Sequence, residues 1–392
     1  MTVYLPIKLN VLEWAYKRAG LSLSELFTKH PGYKNKVSGL NIALTMSQVK
    51  EIATHVHIPL GFLFLNEPFE ESLPIKDFRT LNNKVAKKIS LNLRDVINQC
   101  QLQQDWYIEY AEENELEKCS LVNKSNLDED PKDAAEKLKI YLNYNEKDLS
   151  KADDYRRYLR AVIEQSGVLV FISSTVGNNN TRPLDINEFR GFALSDPYAP
   201  LIFINSSDSV SAQIFTMIHE LAHIMLGESG ISNEAMEEIF VSSQIEKWCN
   251  AVAANFLVPE DKLKLLYEQN YKLSLYDLIV SLVFKFHVSS LVILRRLYEL
   301  NLIEKDEFSN LFNRLKKDAL KELQLRKEEK SKKSPPYYQV ALSRLSKNFC
   351  HAVISSTLSG NVLYRDACIL LNKTNLKGFD KFASTLGYIK AM

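Results

Sequence analysis

A chain of 392 residues is too long for one ordinary hydrophobic core, so its length predicts two or three domains. The composition, 46% hydrophobic and 25% charged, excludes a disordered or fibrous chain, and a net charge of +1 gives no overall electrostatic case for nucleic-acid or membrane partners. The five cysteines are odd in number and include no CxxC pair, which argues against a disulfide framework or a thiolate zinc site. Because the N-terminal stretch lacks a signal-peptide pattern and no run of about 18 apolar residues occurs, we expect a cytoplasmic protein without a membrane span.

The first 75 residues predict a small helical bundle of helix-turn-helix proportions. Apolar side chains recur at helical spacing between Leu12 and Phe27 and are interrupted by Gly20, which indicates two short helices joined by a turn. A third helix is expected from Thr45 to about Val56. We therefore predict that residues 1–75 form one helix-turn-helix-like domain.

Residues 76–150 predict a helical linker region. Within it, SLNLRDVINQCQLQQDWYIEYAEEN has helical spacing and leads into the polar, acidic stretch KSNLDEDPKD. That polar stretch is where we expect an exposed loop or a domain boundary.

Residues 151–265 combine helices with short strands. After the helix YRRYLRAVIEQSG, the runs VLVFI, FRGFALS and PLIFIN predict strands, because they are rich in β-branched and aromatic residues. The segment SDSVSAQIFTMIHELAHIML predicts a helix up to Gly227, and SQIEKWCNAVAANFLV predicts the next helix, which stops at Pro259. Residues 266–392 have helical spacing. The expected fold class is α+β, a mostly helical multidomain protein around a central core of a small sheet and one helix.

His219, Glu220 and His223 form a His-Glu-x-x-His pattern on this predicted helix. Positions i and i+4 of an α-helix lie one turn apart on the same face, so both imidazoles can point at one tetrahedral cation. Glu220 lies about 100° around the helix, beside that site, where a general base can take a proton from a metal-bound water. The pattern therefore predicts a catalytic zinc ion.

A catalytic zinc ion needs a third protein ligand and an open fourth position. Glu246 is the candidate, because it opens the next predicted helix. Asn250 follows one turn later, suitably placed to accept the second N–H of a ligand histidine. This pair resembles the Glu-x-x-x-Asp helix of thermolysin-like zincins, with Asn in the Asp position. The competing candidates for the third ligand are Glu228, Glu237 and Glu238.

The segment IFTMIHELAHIML, followed by EKWCNAVAANFLVPE, resembles the ImmA/IrrE family of zinc metallo-endopeptidases. In that family an F-T-x-x-H-E-L-x-H helix is followed by E-x-x-A-N-x-F-A-x-x-L-L-M-P-E, and RGFALSDPYAPLIFINSSD fits the preceding strands. The terminal segments are similar to longer members, which carry an N-terminal repressor-like (XRE-like) helix-turn-helix and occur in bacterial mobile elements or in defence and toxin–antitoxin loci. The resemblance implies a gluzincin-like peptidase with a zincin-like core. It also implies His219, His223 and Glu246 as Zn²⁺ ligands and Glu220 as general base.

Three features qualify the resemblance. Cys249 stands where the family usually has alanine, and it is either one small buried residue in place of another or a group that ligates or gates the metal. The family segment W-x-x-G-x-x-x-P-T appears as VSGLNIALT, and residues 1–75 carry seven Lys/Arg against six Asp/Glu, so protein docking or interdomain packing is favoured over DNA binding there. The family-like DFRT motif that begins at Asp77 is expected to form a structural salt bridge.

The leading hypothesis is an endopeptidase that cuts a cognate regulatory protein, typically a helix-turn-helix repressor or an antitoxin. Glu220 would deprotonate the attacking water and later protonate the leaving amine. The group that stabilises the oxyanion is open, with Arg190 and Tyr198 as candidates. Two alternatives remain, a DNA-binding regulator whose metal is structural or sensory, and a toxin or interaction protein that uses the fold as a scaffold.

Overall fold

The computed structural model describes residues 3–69, 76–77, 89–147, 149–232, 243–330, 340, 343–373 and 375–388. Helices dominate and the sheets are small, which confirms the predicted α+β class. Contacts divide the chain into two compact units, one within Met1–Pro74 and Lys88–Arg94 and the other within Ile75–Lys87 and Asp95–Met392.

The smaller unit combines short helices with a three-stranded antiparallel sheet. Its elements are β1 (Tyr4–Lys8), α1 (Leu9–Arg18), α2 (Leu23–Lys29), a 3-10 helix (Pro31–Lys36), β2 (Val37–Ser38), β3 (Asn41–Thr45), α3 (Met46–His55) and a second 3-10 helix (Leu60–Phe64). Strand β3 lies between β1 and β2. Ile7 and its cross-strand partner Ile42 are both buried in the core of this unit.

The helices predicted for this unit are present, and Gly20 adopts the left-handed backbone (φ 75°) that the turn after α1 requires. The prediction of a small helical bundle did not include the sheet. The residues of β1 and β2 explain why those two strands were missed, whereas β3 does alternate, with Ile42 and Leu44 buried, and was overlooked. Strand β1 contains Pro6, which cannot donate to a strand ladder, and β2 has only two residues, too few to show an alternating pattern.

The larger unit contains the predicted helices and strands of the central region. In chain order they are β4 (Lys76–Asp77), α4 (Leu91–Glu113, whose first residues belong to the smaller unit), α5 (Pro131–Tyr141), α6 (Ala152–Gln165), β5 (Leu169–Ser173), β6 (Gly191–Leu194), β7 (Leu201–Asn205), α7 (Val210–Leu226), β8 (Gly230–Ser232) and α8 (Gln244–Leu257). The sequence predicted β5, β6 and β7 but not β8. Of the DFRT motif, residues 78–80 and the Asp77 side chain lie outside the described residues, so the expected salt bridge stays a prediction.

The five strands form one mixed sheet in the order β4-β8-β6-β7-β5. Strand β6 pairs antiparallel with both β7 and β8, while β5 runs parallel to β7. Every side chain of β5, β6 and β7 is buried, since helices pack against the sheet. Helix α7 contacts β6 and β7, and α8 packs along α7.

The remaining helices continue the same unit. They are α9 (Glu260–Gln269), α10 (Leu275–Phe286), α11 (Ser290–Glu299), α12 (Lys305–Lys330), α13 (Lys347–Leu358), α14 (Tyr364–Leu370) and α15 (Leu376–Thr385). One hydrophobic cluster extends from Leu121 to Leu315, so the first helices after residue 265 share the core of the sheet and α7. In the last segment, the Leu345 carbonyl accepts a hydrogen bond of 2.6 Å from Arg160 of α6.

Within the described residues, no single helix is long and apolar enough to cross a membrane. Helices α10 and α11 reach that length and hydropathy only when taken together, and a bend of 108° separates them.

Candidate metal centre

Helix α7 is an apolar helix whose ends are fixed by local interactions. The Ser209 side chain caps its first turn by accepting a hydrogen bond of 3.2 Å from the Ala212 N–H. Gly227 ends the helix in the left-handed conformation (φ 72°). Between these caps the helix is buried on all sides from Gln213 to Met225. Ionisable side chains on such a helix leave water altogether, and this is costly unless they are paired or bind a metal.

His219 and His223 occupy successive turns of α7, as the i, i+4 spacing predicts. Their Nε2 atoms lie 3.2 Å apart, inside the protein. Glu246, in the first turn of α8, completes the group. Its carboxylate oxygens lie 3.1 Å from His219 Nε2 and 3.1 Å from His223 Nε2.

Helix α8 is held in the position that brings Glu246 to α7. It packs closely against both α5 and α7. The Trp248 indole N–H donates a hydrogen bond of 2.8 Å to the Glu129 carbonyl, just before α5. Because Trp248 is two residues from Glu246, this bond fixes the first turn of α8 at the depth where the carboxylate meets the imidazoles.

The three groups fit a divalent metal ion by spacing and by chemistry. Zinc binds imidazole nitrogen and carboxylate oxygen at about 2.0–2.2 Å, so ligand atoms of a tetrahedral ion are about 3.3 Å apart. The observed separations of 3.1–3.2 Å are close to that value. In the part of the chain that the structure describes, no other group of three His, Cys, Asp or Glu side chains has metal-ligand spacing. His219, His223 and Glu246 could therefore hold a metal.

The protonation states of two of these ligands, Glu246 and His223, also suit a cation. Burial raises the pKa of the Glu246 carboxyl, but the neighbouring His219 and His223 outweigh burial and bring it below its ordinary value. Burial lowers the pKa of the His223 imidazole. A carboxylate and a neutral imidazole are the forms that bind metal ions.

Glu220 lies beside the metal ligands and is completely buried. Its Oε1 atom packs against Gly191 of β6, so closely that a Cβ at that glycine would lie 2.7 Å away. Burial raises the pKa of the Glu220 carboxyl to about 8, while the charge of His219 and a hydrogen bond from Ser232 act in the opposite direction. A carboxyl with a raised pKa in a dry site is suited to accept and return a proton.

The structure also places the other residues proposed from the sequence. Asn250 is buried on α8, one turn after Glu246, and its proposed bond to a ligand histidine stays a prediction. Cys249 packs in the hydrophobic core and is absent from the metal-ligand group, in agreement with a small buried residue. Glu228 is likewise outside that group. Glu237 and Glu238 lie outside the described residues.

The two candidates for oxyanion stabilisation make contacts with other residues, and their role stays a prediction. The Arg190 guanidinium is paired with Asp208, which precedes α7. Tyr198 follows the last residue of β6, whereas Glu220 contacts Gly191 at the start of that strand, and each strand residue adds about 3.3 Å. Lys118 lies over the Tyr198 ring at 5.3 Å. Neither side chain is directed to the metal ligands by these contacts.

Ser232 is a residue of the centre that the sequence analysis missed. Its Oγ lies 3.4 Å from His223 Nε2, and it sits on β8 opposite Gly191 of β6. No local motif marks Ser232. Gly191 did leave a signal, since a glycine inside a strand pattern often marks a close approach by another group.

A His-Glu-x-x-His helix against a mixed sheet, with a carboxylate from the next helix, defines a zincin-like core. Residues 163–298 match a peptidase family model described as an IrrE N-terminal-like domain, which supports membership of the ImmA/IrrE family and suggests a metallopeptidase. The match begins in α6 and ends in α11, and it does not include the N-terminal unit. Residues 345–385 match a model described as a domain of unknown function (DUF8813). Among curated proteins, none matches the chain.

Proposed function

We propose that this protein is a zinc-dependent endopeptidase that cleaves a cognate regulatory protein. The observation that carries the proposal is the convergence of His219, His223 and Glu246 within 3.1–3.2 Å, with the buried Glu220 carboxyl beside them. A repressor with a helix-turn-helix or an antitoxin is the proposed substrate, in a bacterial stress, mobile-element, defence or toxin–antitoxin system. The support for that substrate comes from the resemblance to the ImmA/IrrE family.

Zn²⁺ held by these three ligands would polarise the scissile carbonyl and lower the pKa of water. Glu220 supplies the proton transfers. Its carboxylate accepts a proton as water adds to the peptide carbon, and it returns that proton to the amine nitrogen as the C–N bond breaks. Because Glu220 is fully buried, bulk water does not compete for that proton, and the net reaction is addition of one water across one peptide bond.

A DNA-binding function has less support from the smaller unit. Helix α2 has seven residues, and the element after it is a six-residue 3-10 helix, whereas a helix-turn-helix protein lays a recognition helix in the major groove. Residues 1–75 also carry little net positive charge. A gel-shift experiment with promoter DNA separates this alternative from proteolysis.

The test is co-expression of the full chain with the product of the neighbouring gene, followed by mass spectrometry of that product. We expect discrete, zinc-dependent fragments with the wild type, none with Glu220→Gln, and none with His223→Ala. Glu220→Gln should keep its zinc, whereas His223→Ala should lose it. Fragments that persist with Glu220→Gln would contradict the general-base role, and a biological effect that survives Glu220→Gln without cleavage would favour a scaffold.

A further inference from the structure

The Glu220 carboxyl rests on two residues that face each other on neighbouring strands. Gly191 of β6 and Ser232 of β8 are paired in the antiparallel register of the sheet. A Cβ at position 191 would lie 2.7 Å from Glu220 Oε1 and 2.6 Å from Thr216 Cγ2. Both distances are far below the normal contact distance of about 3.5 Å, and the Cβ would also lie 3.0 Å from the Phe203 carbonyl oxygen, so a side chain at 191 would force the carboxyl or Thr216 to move.

Ser232 contacts the same carboxyl from the other strand. Its Oγ lies 3.4 Å from His223 Nε2, and its hydroxyl is near enough to Glu220 to act against the burial that raises the pKa of that carboxyl. Ser232 is buried, so bulk water does not compete with its hydroxyl at this position. If His223 Nε2 binds a metal ion, that nitrogen no longer accepts a hydrogen bond, and the Ser232 hydroxyl would be left to donate to the Glu220 carboxylate.

We propose that Gly191 and Ser232 are positioning residues, which together fix the Glu220 carboxyl beside the metal ligands. Gly191 acts by having no side chain, and Ser232 acts by donating its hydroxyl hydrogen. The catalytic consequence rests on the proposed peptidase function, but the contacts themselves do not. The placement matters because an error of about 1 Å in a reacting group can reduce turnover about 100-fold.

The contacts are tested first by coupled substitutions that need no substrate. All variants carry Thr216→Ser, which removes the Cγ2 atom that a new Cβ would also meet. In that background Gly191→Ala should lower the folding equilibrium constant about tenfold or more, as overpacking does. When Glu220 is also replaced by alanine, the effect of Gly191→Ala should be at least about fivefold smaller. An equal penalty with and without the Glu220 side chain would overturn the role of Gly191.

Ser232 is tested by the same kind of cycle, with Ser232→Ala and Glu220→Ala, because alanine removes the acceptor that glutamine would keep. We expect the two changes to be coupled, with a double-variant effect about twofold to fivefold smaller than the product of the single effects. Strictly multiplicative effects would overturn the role of Ser232. Ser173→Ala is the matched control, since Ser173 is a buried serine of β5 whose hydroxyl bonds to the Thr175 carbonyl, away from Glu220.

The catalytic consequence is tested with the co-expressed regulator as substrate. Gly191→Ala with Thr216→Ser should lower kcat about 100-fold and Ser232→Ala about tenfold, both with little change in KM, while Ser232→Thr and Ser173→Ala should stay near wild type. Zinc affinity, measured by chelator competition, should change less than about threefold, because neither residue is a proposed ligand or is proposed to orient one. Loss of zinc from Ser232→Ala would overturn positioning in favour of a role at the metal. If the wild type cleaves nothing, the peptidase proposal fails, but the coupled substitutions still test whether Gly191 and Ser232 act on Glu220.

Discussion

Replacing Glu220 by glutamine should change how the stability of the metal-free protein depends on pH. Burial raises the pKa of this carboxyl from 4.5 to about 8, so the folded chain keeps a proton that the unfolded chain has released. The contribution of this proton to the free energy of unfolding is complete below the pKa of the unfolded chain, 4.5, and is lost as pH rises through the folded pKa of about 8.

The expected magnitude is large enough to measure. One proton changes the free energy of unfolding by about 1.4 kcal/mol per pH unit. Over the interval between the unfolded pKa of 4.5 and the folded pKa of about 8, the change is roughly 5 kcal/mol. Glutamine cannot titrate, so the free energy of unfolding of Glu220→Gln should rise relative to wild type as pH increases from about 5 to about 8. The measurement is urea unfolding of chelator-treated protein, followed by tryptophan fluorescence, with Trp248 buried near the centre.

The control is Ser173→Ala, which removes a buried polar group of the same sheet without a titrating proton. Its difference from wild type should not vary with pH. A pH-independent difference for Glu220→Gln would refute the assignment of a raised pKa to this carboxyl, whatever its effect at a single pH.

Three further predictions concern the same region. His219→Ala, His223→Ala and Glu246→Ala should each abolish tight zinc binding in a chelator competition, and retained affinity in any of them would remove that residue from the ligand set. Asn250→Ala should weaken zinc binding about 10–100-fold if its amide orients a ligand histidine, and an unchanged affinity would contradict that role. Ser209→Ala should cost about 1 kcal/mol of stability through loss of the α7 cap, seen as a lower melting temperature, whereas an unchanged melting temperature would mean that the cap is replaced.

Much of the metal centre was predictable because its key distances are local. The spacing of His219 and His223 is set by helical geometry, so recognising the helix is enough to place both imidazoles on one face. Gly227 marked the C-terminal end of that helix in the sequence, and the structure adds the Ser209 cap at its start. Glu246 was predicted differently, from the chemical requirement for a third ligand, and the structure brings it to the histidines through the packing of α8 on α7.

The features that were missed depend on pairing between distant strands. Strand β8 has three residues and β1 contains a proline, so neither shows a period that a sequence pattern can detect. The contact of Ser232 with Glu220 requires the register of β8 on β6, which no local propensity encodes. Arg190 was a reasonable candidate by position along the chain, but its pairing with Asp208 is visible only in the folded protein.

The charges of the metal centre connect the folding stability of the protein to the binding of a metal ion. Glu246 is ionised and buried between two imidazoles, and a second carboxyl, Glu220, is buried beside them. A divalent cation would balance two ionised carboxylates, whereas in the metal-free site the charge of His219 and a proton kept on Glu220 lower the uncompensated charge. Cation and proton therefore compete for the same buried charge. It follows that zinc should bind more tightly as pH rises toward 8, release a proton from the centre, and stabilise the fold most at the pH where the metal-free protein is weakest.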